Sequence, residues 1–169
     1  HTVAVTGGDS VHGGLVASIA DVSTGDGAGS IDWTYTVSDG VVDYLGAGDS
    51  VVQTYTVTVT DDEGTTASQA VTITINGTND VPTIDVATAS SSVTELADGA
   101  EGELTSDLTT TGSIAFEDVD LTDGHSVAVT GGDSVHGGLV ASIANVSTGD
   151  GAGSIDWTYT VSDGVVDYL

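Results

Sequence analysis

Apolar and polar residues alternate with a period of two along much of this chain, the pattern of half-buried strands. Between Ser30 and Ser38, Ile31, Trp33, Tyr35 and Val37 point one way while Asp32, Thr34 and Thr36 point the other. Val51 to Thr60 repeats this logic, with Tyr55, Val57 and Val59 inward and Thr54, Thr56, Thr58 and Thr60 outward. Ala70 to Asn76 follows, with Val71, Ile73 and Ile75 inward. The acidic turn Asp61-Asp62-Glu63-Gly64 predicts that Val51–Thr60 and Thr65–Asn76 pair as one long hairpin. Alternation of this length fits an antiparallel sheet with one buried face.

Shorter runs predict further strands at Thr2–Thr6 and Gly14–Ala20, then a broken first strand at Thr83–Ala87 and Ser92–Leu96, and another at Thr109–Glu117. Ser23–Ser30 reads as a flexible glycine-rich loop, Ala97–Glu103 as a loop and Asp118–His125 as an acidic loop. No stretch has helical periodicity, so the expected fold is an all-β, antiparallel β-sandwich.

The pattern also recurs. His1 through Leu45 returns as His125 through Leu169, an offset of 124 (125 − 1), and only two of the 45 paired positions differ: Thr2 against Ser126 and Asp21 against Asn145. Such near-identity implies recent duplication and a parent with many copies. The one proline, in Asn76-Gly77-Thr78-Asn79-Asp80-Val81-Pro82, marks the expected joint between copies. Residues 1–80 are then the C-terminal part of one β-sandwich repeat, and 81–169 the N-terminal part of the next. Together the two parts contain every element of one repeat. An alternative arrangement pairs residues 46–80 with the following copy, as a permuted domain or an exchanged strand.

Composition adds a constraint. The chain has 26 Asp plus Glu and no Lys or Arg, a formal net charge of −26. Each carboxylate is therefore expected to be solvated, bonded to backbone N–H or neutralised by a cation, since no basic side chain is there to meet it. A set of oxygen donors suits hard cations such as Ca²⁺. The same charge repels nucleic acid and anionic membrane surfaces. No stretch is long and apolar enough for a membrane-spanning helix. Without Cys there is no disulfide, thiol catalysis or zinc-thiolate site, and the lack of Met implies a piece of something longer.

Several stretches together resemble a known repeat family. Leu45-Gly46-Ala47-Gly48-Asp49-Ser50, the strand Gln53 to Asp61 and the terminal Ile75-Asn76-Gly77-Thr78-Asn79-Asp80 resemble the VCBS repeat of giant RTX-type adhesins of Gram-negative bacteria. The resemblance implies a cadherin-like or immunoglobulin-like sandwich in tandem, type I secretion and adhesion at the bacterial cell surface. The joint is similar to a cadherin linker, in which Asn76, Asn79 and Asp80 match oxygen-donor positions while Thr78 departs from the usual Asn. Glu95 sits where the related fold places a ligand on its first strand, which implies a cation of its own at the top of repeat 81–169, at the other end from the acidic loop.

The expected interdomain calcium shell comprises Asn79, Asp80, Asp118 and Asp120, with Asp61 or Glu63 from the preceding domain; Asn76, Asp123 and Glu95 are further candidate ligands. Asp and Asn also favour turns for their own sake, which is the competing explanation for each of them. Asp118–Gly124 is superficially similar to an EF-hand, but its glycine falls one place late and no Glu closes the loop. Asp133, Ser134 and His136 are triad residue types lying adjacent in sequence, without an oriented base. Trp33 and Trp157, one position duplicated on an apolar strand face, read as core.

The expectation is thus a non-enzymatic, calcium-stiffened extender repeat of a secreted adhesin or extracellular fibre. Its partners are neighbouring copies of itself, and host surface, abiotic surface or glycan is left to other domains. The alternatives are a module that binds glycan, a surface or ice directly, and a strand-exchanging filament subunit.

Overall fold

The structure, a computed structural model, describes residues 1–84 and 89–168. The chain divides into two compact units, His1–Asn79 and Asp80–Leu169. Both are built from antiparallel sheets.

In the first unit, β1 (Thr2–Gly7), β4 (Ser50–Thr60) and β5 (Thr66–Asn76) form a sheet of order β1-β4-β5, while β2 (Gly14–Asp21) pairs with β3 (Ser30–Thr36). The β4–β5 ladder is unbroken from Ser50↔Asn76 to Thr60↔Thr66. It matches the predicted hairpin to within a residue because the alternation is long and its parity unambiguous. Asp61 shapes the turn: its Oδ1 accepts the Glu63 and Thr65 N–H at 3.1 and 2.7 Å, an Asx-type arrangement. The inward faces of both sheets meet in one apolar core, where Leu15, Tyr55 and Val57 are buried among Val3, Val5, Ile31, Tyr35, Val71 and Ile73.

The second unit holds one four-stranded sheet of order β6-β7-β9-β8, from β6 (Thr83–Ile84), β7 (Asp107–Glu117), β8 (Gly138–Asn145) and β9 (Ala152–Ser162). β8 and β9 repeat the β2–β3 register, including the irregularity at Ile19/Asp21, which returns at Ile143/Asn145. β7 takes the edge of β9 that β3 leaves open in the first unit. Gly112 of β7 faces Trp157 of β9, and a Cβ there would run into the indole ring, so this crossing requires glycine.

Some expectations need correction. Ser92–Leu96 carries no strand; the Leu96 N–H instead donates to the Asp163 carboxylate at 2.7 Å. The expected strand at Thr83–Ala87 is seen only as Thr83–Ile84, and the rest lies outside the described residues. Trp33, expected in the core, is 48% exposed, because β3 has no neighbour on that side to cover it.

The two copies of the 45-residue segment differ chiefly in what covers them. Leu15 is 7% exposed and its copy Leu139 is 40% exposed, since only the first has the β4–β5 hairpin above it. The reverse holds at Asp39 and Asp163, each opening a single helical turn, at Asp39–Val41 and at Asp163–Val166. Asp39 is exposed, whereas Asp163 is fully buried and accepts the N–H of Leu96 and of Leu104. Leu104 has a φ of 64°, a left-handed conformation that the bond to Asp163 helps to hold. Asp163→Ala strands two backbone donors and is expected to destabilise the second unit by about 1–3 kcal/mol. Asp39→Ala should stay within about 0.5 kcal/mol. Urea unfolding checks both, with Trp33→Phe isolating the fluorescence of the second unit and Trp157→Phe that of the first.

Candidate functional site

The joint begins where β5 ends. The Gly77 N–H donates to the Asp49 carbonyl at 3.0 Å, and a Cβ on Gly77 would collide with the carbonyls of Leu45 and Gly46. Asn76 closes the β5 ladder opposite Ser50 and is exposed, as is Asn79.

On the far side of the joint, the expected acidic residues are partly gathered. The Asp80 N–H donates to Asp120 Oδ2 at 2.6 Å, and the Asp120 N–H donates to Asp118 Oδ1 at 3.0 Å. Asp118 and Asp120 are both buried, at 3% and 0% exposure. The Asp123 N–H turns back to the Asp120 carbonyl, while the Asp123 carbonyl accepts the Thr148 hydroxyl. Asp61 and Glu63 lie in the β4–β5 turn of the first unit, Asp61 with one carboxylate oxygen already taken by two backbone donors.

Glu95, expected at a separate cation, lies apart from this loop. It is exposed beside Leu96, whose N–H reaches Asp163 just beyond the end of β9, whereas Asp118 bonds to Gly151 just before β9 begins. The 11 residues of β9 separate the two places, a span of roughly 35 Å.

Two features of the acidic loop escaped the sequence reading. The first is its clasp with the glycine-rich segment, where Asp118 N–H donates to the Gly151 carbonyl and Gly149 N–H to the Leu121 carbonyl, both at 2.9 Å. This segment, Ser147–Ser154, is the copy of Ser23–Ser30, which reads as a flexible loop; in the second unit it is bonded into the site. The second is histidine. His125 Nε2 lies 2.8 Å from Asp118 Oδ2 and must carry the proton, because an ionised carboxylate only accepts; Nδ1 lies 3.2 Å from the buried Ser147 hydroxyl. The expectation that carboxylates lack basic side-chain partners is corrected here: imidazoles meet Asp9, Asp118 and Asp133.

Asp120 Oδ1 is buried without a hydrogen-bond partner among the described residues. A buried orphan carboxylate oxygen is costly unless a cation or water reaches it, and as a hard donor it suits Ca²⁺. Among the described residues, no three His, Cys, Asp or Glu side chains gather closely enough to hold a metal. The fit is thus to one open oxygen and its neighbour Asp118 rather than to the full expected shell.

A second polar network joins β4 to the loop after β1. Asp9 Oδ1 accepts the His12 N–H at 2.6 Å, Oδ2 accepts from His12 Nδ1 at 2.8 Å and from Gln53 Nε2 at 2.7 Å, and the Asp9 N–H donates to Gln53 Oε1. Gln53 is buried. Its signal was available in the sequence, since position 53 shares the inward parity of Tyr55, Val57 and Val59. In the second unit Asp133 keeps its histidine, His136, whose Nε2 faces the Tyr168 hydroxyl at 2.7 Å.

Comparison with protein-family models, with curated proteins and with solved structures gives no match to this chain.

Hydrogen bonds from the His12 backbone, the His12 ring and Gln53 hold the Asp9 carboxyl far below its ordinary value of 3.8. Bonds from the His136 ring and backbone lower Asp133 likewise. Groups depressed in this way contribute stability that is present above about pH 3.8 and lost as pH falls through the folded value. Carboxyl NMR titration should find Asp9 below Asp133 and both below the ordinary value. Gln53→Ala should raise Asp9 toward Asp133 and leave Asp133 unmoved.

Proposed function

We propose that the chain is part of a tandem structural repeat, an extender of a secreted bacterial adhesin or other extracellular fibre, stiffened by calcium at its joints. The observation that carries this reading is the recurrence of one β-unit across a joint at which Asp80, Asp118 and Asp120 converge. A near-identical repeat serves length and regularity. The resemblance of Leu45–Asp80 to the VCBS repeat supports tandem sandwiches of immunoglobulin-like or cadherin-like type, placed at the cell surface by type I secretion.

The metal role rests on charge. With 26 acidic residues and no Lys or Arg, adjoining repeats repel one another, and a divalent cation at each joint offsets that repulsion. Asp120, through its open Oδ1, and Asp118 would hold the ion, Asp118 after giving up His125. Bound Ca²⁺ would supply charge neutralisation and a bridge between backbone segments on the two sides of the joint. The partners in this reading are neighbouring copies of the repeat, with glycan or surface contact left to other domains. It involves no enzymatic step, nucleic acid or membrane insertion.

Saturating Ca²⁺ is expected to raise the melting temperature, by the equivalent of about 2.7 kcal/mol at one hundred times the dissociation constant. It should also narrow the distribution of maximum dimension in small-angle scattering, and a chelator should reverse both. Asp120→Ala should remove the calcium response. A chain that neither melts nor scatters differently with calcium has no metal-stiffened joint.

A further inference from the structure

The duplicated segment is its own control experiment. In the first unit Thr2–Gly7 pairs with β4, and the apolar faces above β2 and β3 are covered except at Trp33. In the second unit its near-identical copy, Ser126–Gly131, forms no strand. There Val127, Val129 and Leu139 line an open apolar groove of about 730 Å³ with Ile114, Ile155 and Trp157. One sequence thus appears once with its cover and once without it.

We propose that this groove is the seat of the β4–β5 hairpin of a second copy of the chain, which pairs with Ser126–Gly131 as it pairs with Thr2–Gly7 in its own first unit. Subtracting the offset of 124 fixes the register: Ser126 takes Thr60, Ala128 takes Thr58, Thr130 takes Thr56 and Gly131 takes Tyr55. The proposal rests on the reading that the two units are complementary parts of one repeat, and it needs no calcium.

The chain's own hairpin cannot fill this seat. In the first unit Asn76 lies opposite Ser50, at the end of the sheet to which β1 runs at Gly7; Thr60 and Thr2 lie at the other end. Seated in the same way on the second unit, Asn76 would stand at the Gly131 end. The next strand begins at the His125 end, where Pro82, Ile84 and His125 line one cavity. β4 is 11 residues long, so the two ends are roughly 35 Å apart. Only residues 77–82 connect Asn76 to Thr83, and fully extended they reach about 25 Å. The hairpin must therefore come from another copy.

The exchange has a defined driving force. The donor hairpin leaves one β1 sequence for a nearly identical one, so the strand ladder cancels. What remains is cover: the second unit offers four strands, including β7 with Ile114 in the groove, where the first offers two. Burying more apolar surface favours the exchanged form. The charge of −26 on each copy opposes encounter, so association should strengthen with salt.

The chain has no cysteine, which makes a disulfide test clean. Chains carrying Ala128→Cys and chains carrying Thr58→Cys, positions that face away from the apolar core, are refolded together from urea at high salt and oxidised. The expected product is a disulfide-linked heterodimer joined through positions 128 and 58. Thr54→Cys in place of Thr58→Cys, four residues out of register and too far for a disulfide, should give about tenfold less. A parallel double variant, Ala4→Cys with Thr58→Cys in one chain, reports the pairing already present in the first unit. If that internal bond forms and the heterodimer does not exceed the out-of-register control, hairpin exchange is overturned while the repeat reading stands. If the internal bond also fails, both fall. Circular dichroism matching the unmodified chain confirms that each variant folds.

Discussion

An apolar sheet face has to be covered, and in this protein one hairpin determines which face is. The β4–β5 hairpin places Tyr55 and Val57 over Leu15 and completes the core of the first unit. Where the same 45 residues lack it, Leu139 and Val129 stand open to solvent. Propensity and pattern are constant between the two copies, so the difference in burial comes from tertiary surroundings alone. The β2–β3 register survives unchanged in both settings, down to its irregularity, which marks it as the locally specified part of the segment.

The second constraint is charge without Lys or Arg. The structure meets it in part by aiming backbone N–H groups at carboxylates: Asp61 caps the hairpin turn, Asp163 gathers the 96 and 104 amides, and Asp120 receives the joint at Asp80. Histidine rings meet three more, at Asp9, Asp118 and Asp133. Hydrogen bonds to an ionised acceptor are among the stronger ones available, so turns and loop closures carry polar anchoring here that salt bridges give to most proteins.

Elements whose information is local are legible in the sequence. The long hairpin was legible because eleven consecutive positions agree on one parity, and the repeat because 45 positions recur at one offset with only two changes. Asp80, Asp118 and Asp120, grouped from the sequence as candidate ligands, are joined by hydrogen bonds of the Asp80 and Asp120 N–H groups. Asp163 was not legible: its copy Asp39 has the same neighbours in sequence and lies exposed, so only partners 67 and 59 residues away distinguish them. Ser92–Leu96 misled because a five-residue alternation is too short to separate a strand from a segment bonded to a side chain. The histidine pairs were hidden by counting only Lys and Arg as cations.

The strand directions carry a mechanical consequence. In the first unit the chain enters at His1 and leaves at Asn76, at opposite ends of the β1-β4-β5 sheet. Tension applied at those two points runs parallel to the strands and across their hydrogen bonds. The ladders are then loaded in shear, with many bonds resisting at once, rather than peeled open one pair at a time. A sheet wired in this way is strongest along its own length.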